Sequence, residues 1–374
     1  MLISGRPCYF CSKILAMDLN NRIRAFSKLG NLLGEFTGKY KNNKTLTQKE
    51  FIWLDEQVHQ AMDKNAWFTL PHIMEALSSI AHQLSEKMLR QWTGQYPNLE
   101  ASGGEPQTIG VVPAGNIPLV GFHDFLSILI AGHHYYAKPS SKDSVLPKAL
   151  ASLLKWIEPG FQDRIRFEER HLHGFDAVIA TGSNNTARYF HYYFGRYPSI
   201  IRKNRNGVAV LTGRESSGEL RLLARDVLLY FGLGCRNVSK LYLPEGYNVN
   251  NLLDHFDDFE NITDNSKYGN NYDYHKSVFL INQVPHYDTG FLLMKKDPQI
   301  PSPISTLHYE HYSNIGEAKE KTRLHGDQIQ CIVSHSQEIP GAVPFGEAQH
   351  PRVWDYADNI DTLRFLTSLN QNVT

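Results

Sequence analysis

Cysteine is scarce in this sequence, with four in 374 residues. Cys235 and Cys331 are isolated from any other thiol, so no disulfide framework exists and reduced thiols are expected. Charge of one sign is also missing: 38 Lys and Arg balance 38 Asp and Glu. That balance leaves no global field to gather nucleic acid or an anionic membrane surface. No run of about eighteen apolar residues spans a bilayer, and the opening residues lack an apolar core before a small-residue cleavage site. The expectation is a cytoplasmic protein with no membrane span and no nucleic acid partner. Cys8 and Cys11 form a C-x-x-C, but a zinc site needs about four ligands and no second pair follows. The paired His133 and His134, and His171 with His173, likewise have no matching third ligand, so no metal is expected. The stretch before Met17 reads as an upstream extension of the frame, because "MDLNNRIRAFSKLGNLL" itself makes a start with an amphipathic helix.

What is present is enough apolar content, 41%, for two ordinary domains to bury cores. From Asn20 to Leu89 apolar residues recur at helical spacing, as in Ile23, Phe26, Leu29, Leu32 and Leu33, with breaks at "GKYKNNKT" and "NAWFTLP". A polar connector, Thr93 to Gln107, follows. Beyond it strands and helices alternate. Ile109 to Val112, "HYYAK", "DAVIAT", "GVAVLTG" and "VSKLYLP" read as strands. Between them, Phe122, Phe125, Leu126, Leu129 and Ile130 share one helix face, and so do Leu220, Leu223, Ala224, Val227, Leu228 and Phe231. Alternation of this kind predicts an α/β fold with an open, mostly parallel sheet, whose ligands sit beyond the carboxyl ends of the strands.

The loops at those ends carry the chemistry. "VPAGNIPLVG" follows a strand and opens a helix, yet lacks the G-x-G-x-x-G spacing of the usual dinucleotide turn. "IATGSNN" delivers Gly, Ser and Asn to a helix N-terminus, where free N–H groups favour phosphate; simple capping by Ser183 or Asn184 explains the same residues. "YAKPSS" adds Lys138 at a third strand end, where a solvated loop lysine is the plain alternative. "YFGLGCRN" sets Cys235 behind two glycines, between a helix and a strand, and such a cysteine is most often a buried filler.

In this order and at these spacings, the loops resemble the aldehyde dehydrogenase superfamily, most closely its LuxC-type branch of fatty acyl-CoA reductases. The resemblance runs from about Thr108 to Pro244. It rests on Asn116 in "GNIP", Lys138 and Pro139, Thr181-Gly182-Ser183, and the Gly-x-x-Cys turn from Gly232 to Cys235. "PFGEAQHPRVWDYADNIDTLRFL", Pro344 to Leu366, is similar to the C-terminal signature of the acyl-CoA reductase branch. The resemblance implies an aldehyde dehydrogenase-like fold divided into a helical region over 1–107 packing on a nucleotide-binding domain at 108–206, a catalytic domain at 207–343, and a C-terminal segment at 344–374. It makes Cys235 the acyl-accepting nucleophile, and places the oxyanion hole at the Asn116 side chain and the Cys235 backbone N–H. Pro113, Ala114, Gly115, Lys138, Pro139, Ser141, Thr181, Gly182 and Ser183 are then the cofactor-binding residues.

Two departures refine that expectation. The hydrolytic members carry a Glu general base upstream of the cysteine, whereas "IIRKNRNGVAV" holds no carboxylate from Ile200 to Val210. Water activation is thus not expected, and a reductase working from a thioester does not need it. Ser141 stands where NAD-preferring relatives often have an acidic residue, so repulsion of a 2′-phosphate is absent and NADPH is favoured over NADH, with Lys138 and Lys142 supplying attraction. The implied reaction is NADPH-dependent reduction of an acyl thioester, carried by coenzyme A or acyl carrier protein, to an aldehyde. A cysteine acyltransferase or thioesterase without hydride transfer is one alternative, and a catalytically silent binding subunit is another. A homo-oligomer or acyl-transferring partner subunits remain open. The aromatic run Arg188 to Pro198 fits either the wall of an acyl channel or a helix packed on a sheet. Asn248 to Asn271 reads as helix plus surface loop.

Overall fold

The structure, a computed structural model, describes residues 17–38, 46–97, 99 and 105–369. Cys8 and Cys11 lie outside the described residues, as do parts of the breaks expected at 38–45 and 93–107.

The lead-in folds as helices α1 (Leu19–Phe36), α2 (Gln48–Lys64), α3 (Leu70–Gln83) and α4 (Glu86–Thr93). Local chemistry starts them. Asp18 accepts from the Asn21 N–H at 2.6 Å, Thr47 and Glu50 form a reciprocal capping box, and Thr69 caps α3 with a proline in its first turn. The stripe Ile23, Phe26, Leu29, Leu32 and Leu33 of α1 is almost wholly buried, in one core with α3 and the first sheet. At about 1.5–3 kcal/mol per fully buried large apolar side chain, five such residues contribute on the order of 10 kcal/mol before chain entropy is subtracted.

The alternating region forms two sheets rather than one, and the break falls between Arg202 and Asn206. The first sheet contains β1 (Thr108–Val112), β2 (His134–Ala137), β3 (Ile165–Phe167), β4 (Ala177–Thr181) and β5 (Ser199–Arg202). Its order is β3-β2-β1-β4-β5, parallel throughout. Its connecting helices are α5 (Phe122–Ile130), α6 (Leu146–Ile157) and α7 (Asn184–Phe194). The edge strands β3 and β5 were not foreseen, being too short for a period-2 pattern to register. The second sheet contains β6 (Asn206–Val210), β7 (Val238–Pro244), β8 (Tyr287–Asp288), β9 (Leu293–Lys296), β10 (Thr306–Tyr312) and β11 (Ile329–Val333). Its order is β11-β6-β7-β10-β9-β8, with only the β8–β9 pair antiparallel. Helix α8 (Ser217–Leu228) joins β6 to β7.

The stretch 248–271 corrects the surface-loop expectation. It holds α9 (Val249–Leu253), a 3-10 segment at Asp257–Asp264 and the start of α10 (Ser266–Ile281). Val249, Leu252, Leu253, Phe256 and Tyr268 all enter the second core, so its acidic residues are the outer face of a packed element. After α11 (Ile315–Leu324) and β11, the C-terminal segment serves both halves. Phe345 and Ala348 are buried in the second core, whereas Val353, together with Leu363 and Leu366 of α12 (Thr362–Ser368), is buried in the first. Residues 349–352 therefore cross from one core to the other as a strap.

Candidate active site

The first sheet's strand order reverses direction between β1 and β4, which makes the loops after those strands the flanks of a switch-point crevice. Pro113, Ala114 and Gly115 form one flank, and Thr181, Gly182 and Ser183 the other. Gly115 packs tightly against the loop after β2: a Cβ on it would stand 2.4 Å from Ser140 Oγ. Only glycine lets the 113–116 and 138–141 loops meet. Asp143 holds the first flank by accepting from the Leu119 N–H at 2.7 Å, at a residue with left-handed backbone, φ 58°. Burial pushes its carboxyl up to about 7. Ser183 is the N-cap of α7, accepting from the Thr186 N–H at 3.2 Å, so capping accounts for its hydroxyl while the helix N-terminus stays exposed. Lys138 and Pro139 are half-buried at the end of β2, and Ser141 is exposed. Lys148 pairs with Glu169 at 3.3 Å, whereas Lys138 enters no ion pair among the described residues. A carboxylate not foreseen from the sequence, Glu168, follows β3, its N–H donating to the Ala137 carbonyl at 2.8 Å. Its Oε1 accepts from the Glu169 and Arg170 N–H groups at 2.8 and 3.0 Å and its Oε2 from the Tyr136 hydroxyl at 3.4 Å; the backbone bonds hold the acid below its ordinary range.

Cys235 sits at the other rim, on the turn between α8 and β7. Tyr230, Phe231 and Gly232 all have left-handed backbone, at φ 54°, 59° and 71°; each non-glycine residue there costs on the order of 1–3 kcal/mol. Aromatic packing from the lead-in offsets that strain. The Phe231 ring lies 5.3 Å from Trp67 and 4.7 Å from His72, and the Tyr230 N–H donates to His72 Nε2 at 3.2 Å. Burial lowers His72 to about 4, keeping that nitrogen an acceptor. Asn237, 1% exposed, clamps the rest of the turn. Its Oδ1 accepts from the Gly234 N–H at 2.8 Å, and its Nδ2 is directed at the carbonyls of Asp226 and Leu229 at 3.0 and 2.8 Å. A Cβ on Gly234 would stand 2.7 Å from that Oδ1, so glycine before the cysteine is required by close approach.

Asn116 follows β1 of the first sheet and reaches the turn of Cys235, which precedes β7 of the second: its Nδ2 donates to the Leu233 carbonyl, two residues before the cysteine, at 2.5 Å. Cys235 is partly exposed and opens on a cavity of ≈ 170 Å³. Burial pushes its thiol up; Arg236 opposes this, Asp358 adds to it, and Arg202 opposes it again. Further walls are Ile80 of α3, Leu119, Asp124, Arg202 and Gln349. The sequence revealed none of α3, Asp124, Arg202 or Gln349 as site elements. Arg202 belongs to Ile200–Val210, the stretch that holds no carboxylate. Its guanidinium NH1 grips both Asp124 oxygens at 2.9 and 2.7 Å, and NH2 donates to Thr362 Oγ1 at 2.9 Å. The other acid of the cavity, Asp355, pairs with Arg352 at 3.3 Å. Neither carboxylate is free to act as a base.

The remaining candidates lie elsewhere. His133 uses both ring nitrogens, accepting from the Gln107 N–H at 3.1 Å and donating to the Leu366 carbonyl at 3.1 Å. His173 bonds the His171 carbonyl. None of Arg188–Pro198 lines the cavity. Ala187 is buried and Phe190 stacks on Phe194, while Tyr189, Tyr192 and Tyr193 face solvent, which favours the packed helix over the channel wall. Among the described residues no helix is long and apolar enough to cross a membrane.

No family model matches the sequence, and no curated protein matches it either. Solved aldehyde dehydrogenases do match in structure. Aldehyde dehydrogenase 21 from Physcomitrella patens, in complex with the reaction product succinate, aligns with a TM-score of 0.56 at 12% identity, over 94% of this chain and 88% of its own. The NAD-dependent aldehyde dehydrogenase from Sinorhizobium meliloti gives 0.59 at 12% identity, over 86% and 72%. An aldehyde dehydrogenase from Mycobacterium tuberculosis complexed with NAD+ gives 0.56 at 12% identity, over 81% and 70%. At such low identity the likeness speaks for architecture, and it agrees with the sheets and rims described above: the chain has the aldehyde dehydrogenase fold, with a helical N-terminal region ahead of its parallel sheets.

Proposed function

We propose that this chain reduces an acyl thioester to the aldehyde, using NADPH and a thioacyl intermediate on Cys235. The observation that carries this reading is the Cys235 cavity, in which both carboxylates are tied to arginines. His123, the cavity's other candidate base, donates Nε2–H to the Val353 carbonyl at 2.7 Å and faces Ser127 Oγ with Nδ1 at 3.4 Å, so no uncommitted base directs water at an acyl-enzyme formed there. Cys235 displaces the carrier thiol, coenzyme A or that of an acyl carrier protein, by thiol exchange. Asn116 keeps one amide hydrogen beyond the one given to Leu233, and that hydrogen and the Cys235 backbone N–H are the proposed oxyanion donors.

The first rim fits a dinucleotide, because close packing of Gly115 on Ser140 joins two loops into one wall beside the switch point. Pro113, Ala114 and Gly115 line that wall, and Pro139 fixes the path after Lys138. Thr181, Gly182 and Ser183 bring an exposed helix N-terminus to the pyrophosphate. A nicotinamide nucleotide bound here supplies the hydride. Lys138 enters no ion pair among the described residues, and with Ser141 nearby a 2′-phosphate is accommodated; this supports NADPH. In the same reading, 108–206 is the nucleotide-binding domain, 207–343 the catalytic domain, and the flanking 1–107 and 344–374 complete them.

The test is acyl transfer from radiolabelled acyl-CoA, with aldehyde formation and NADPH oxidation followed in parallel. Wild type is expected to label and to oxidise NADPH in step with aldehyde. Cys235→Ser should do neither while still binding nucleotide. Equal labelling of wild type and Cys235→Ser would remove the cysteine from the chemistry, and labelling without NADPH oxidation would leave an acyltransferase.

A further inference from the structure

The backbone leading into the strap, residues 346–349, is pinned from three directions. Asp226 accepts from the Gly346 and Ala348 N–H groups at 2.7 and 3.1 Å. Arg236, the neighbour of Cys235, donates its Nε–H to the Ala348 carbonyl. Ser79 of α3 donates to the Gln349 carbonyl at 3.3 Å. The backbone around Gln349 is thus fixed without help from its side chain. That side chain is 8% exposed and lines the Cys235 cavity. Its Nε2 has no hydrogen-bond partner among the described residues, and it lies 3.6 Å from where a Cβ on Gly234 would stand, directly against the turn that carries Cys235. Leaving a buried donor unmade costs about 1–3 kcal/mol. A fixed backbone that holds such a donor beside a nucleophile is arranged for an acceptor that arrives with the substrate.

Building on the acyl-thioester reading above, we propose that Gln349 is a catalytic hydrogen-bond donor whose Nε2 amide binds the thioester carbonyl oxygen at Cys235. The Cys235 thiolate adds to the acyl carbon, and the carbonyl electron pair moves onto oxygen, where Nε2–H meets it. Return of that pair expels coenzyme A as its thiolate, which takes up the proton Cys235 gave up. The same amide serves the second oxyanion, formed when hydride reaches the acyl-enzyme carbonyl. This assignment divides the work with Asn116, one of whose amide hydrogens is already spent on Leu233. Arg202 Nε is a second buried, unpartnered donor on the same cavity.

Two variants test it. Gln349→Leu removes the donor, and Gln349→Glu keeps the shape while replacing the donor with an acceptor. Single-turnover release of coenzyme A from decanoyl-CoA is measured beside alkylation of Cys235 by iodoacetamide, a displacement that forms no oxyanion. Both variants are expected to slow acylation by about a hundredfold while alkylation and nucleotide binding stay at wild-type values. Acylation at the wild-type rate in either folded variant overturns the proposal. So does a parallel loss of acylation and alkylation, which would mark Gln349 as a packing residue. A wild-type enzyme that acylates normally alongside unaffected variants overturns Gln349 alone; a wild type that never acylates overturns the thioester reading and this assignment with it.

Discussion

The two rims of this molecule are built in opposite ways. The backbone turn that carries Cys235 is fixed in advance: Asn237 commits both ends of its amide to it, and left-handed Tyr230 and Phe231 are held by rings from the lead-in. Around Lys138 and Ser183 little is committed. Ser141 and Ser183 are exposed, Ser183 bonds only its own helix, and Lys138 has no ion pair among the described residues. A covalent nucleophile must be in register before the substrate arrives, since misplacement of about 1 Å can cost a hundredfold in rate. A cofactor rim can take its missing partners from the ligand.

The contrast is broken most severely at Asn237. Asn237→Ala removes the clamp and leaves the Gly234 N–H and several carbonyls unpaired, with an expected loss of about 3 kcal/mol in urea denaturation and loss of acyl labelling in the folded fraction. Full labelling in a variant of wild-type stability would mean that the turn is rigid without its clamp. Next comes Asn116→Ala, expected to lower turnover by about a hundredfold with a smaller effect on thioester affinity; a rise in KM with unchanged kcat would assign Asn116 to binding. The smallest effects belong to the open rim. Lys138→Ala and Ser141→Glu should each move the NADPH-to-NADH ratio of kcat/KM toward NADH by about tenfold, or about 1.4 kcal/mol. Ratios that stay put in both variants would show that this loop does not read the ribose.

How far the sequence disclosed these features follows from how local each one is. The α1 stripe, the long strands β1, β4 and β7, and the Cys235 turn are written in contiguous residues and were legible there. The short edge strands β3 and β5 exist because a neighbour pairs with them, so three or four residues carry no period of their own. Alternation alone did not reveal the division into two sheets, since it looks the same whichever sheet receives the next strand; only the resemblance set a boundary, at 206/207, and the break falls between Arg202 and Asn206. At the site, Asn116 and Cys235 were found because motifs name them. Gln349 and Arg202 were not: each matters through a cavity assembled from α3, α5, β5 and the strap, across separations of up to 270 residues, as between Ser79 and Gln349. Asn237 sat two places from the cysteine and was still missed, because its importance lies in the carbonyls it faces.

The strap carries a consequence for how the protein is made. Phe345 and Ala348 complete one core, Val353, Leu363 and Leu366 the other, and Gln349 lies between them. The first sheet is complete by Arg202 and the second by Val333, yet neither core is filled until these residues follow. The thiol of Cys235 therefore waits in an unfinished pocket for more than a hundred residues of elongation. Asn116, Ile80, Leu119, Asp124 and Arg202 all precede Cys235 in the chain, so the docking of Gln349 with the strap is the step that closes the pocket.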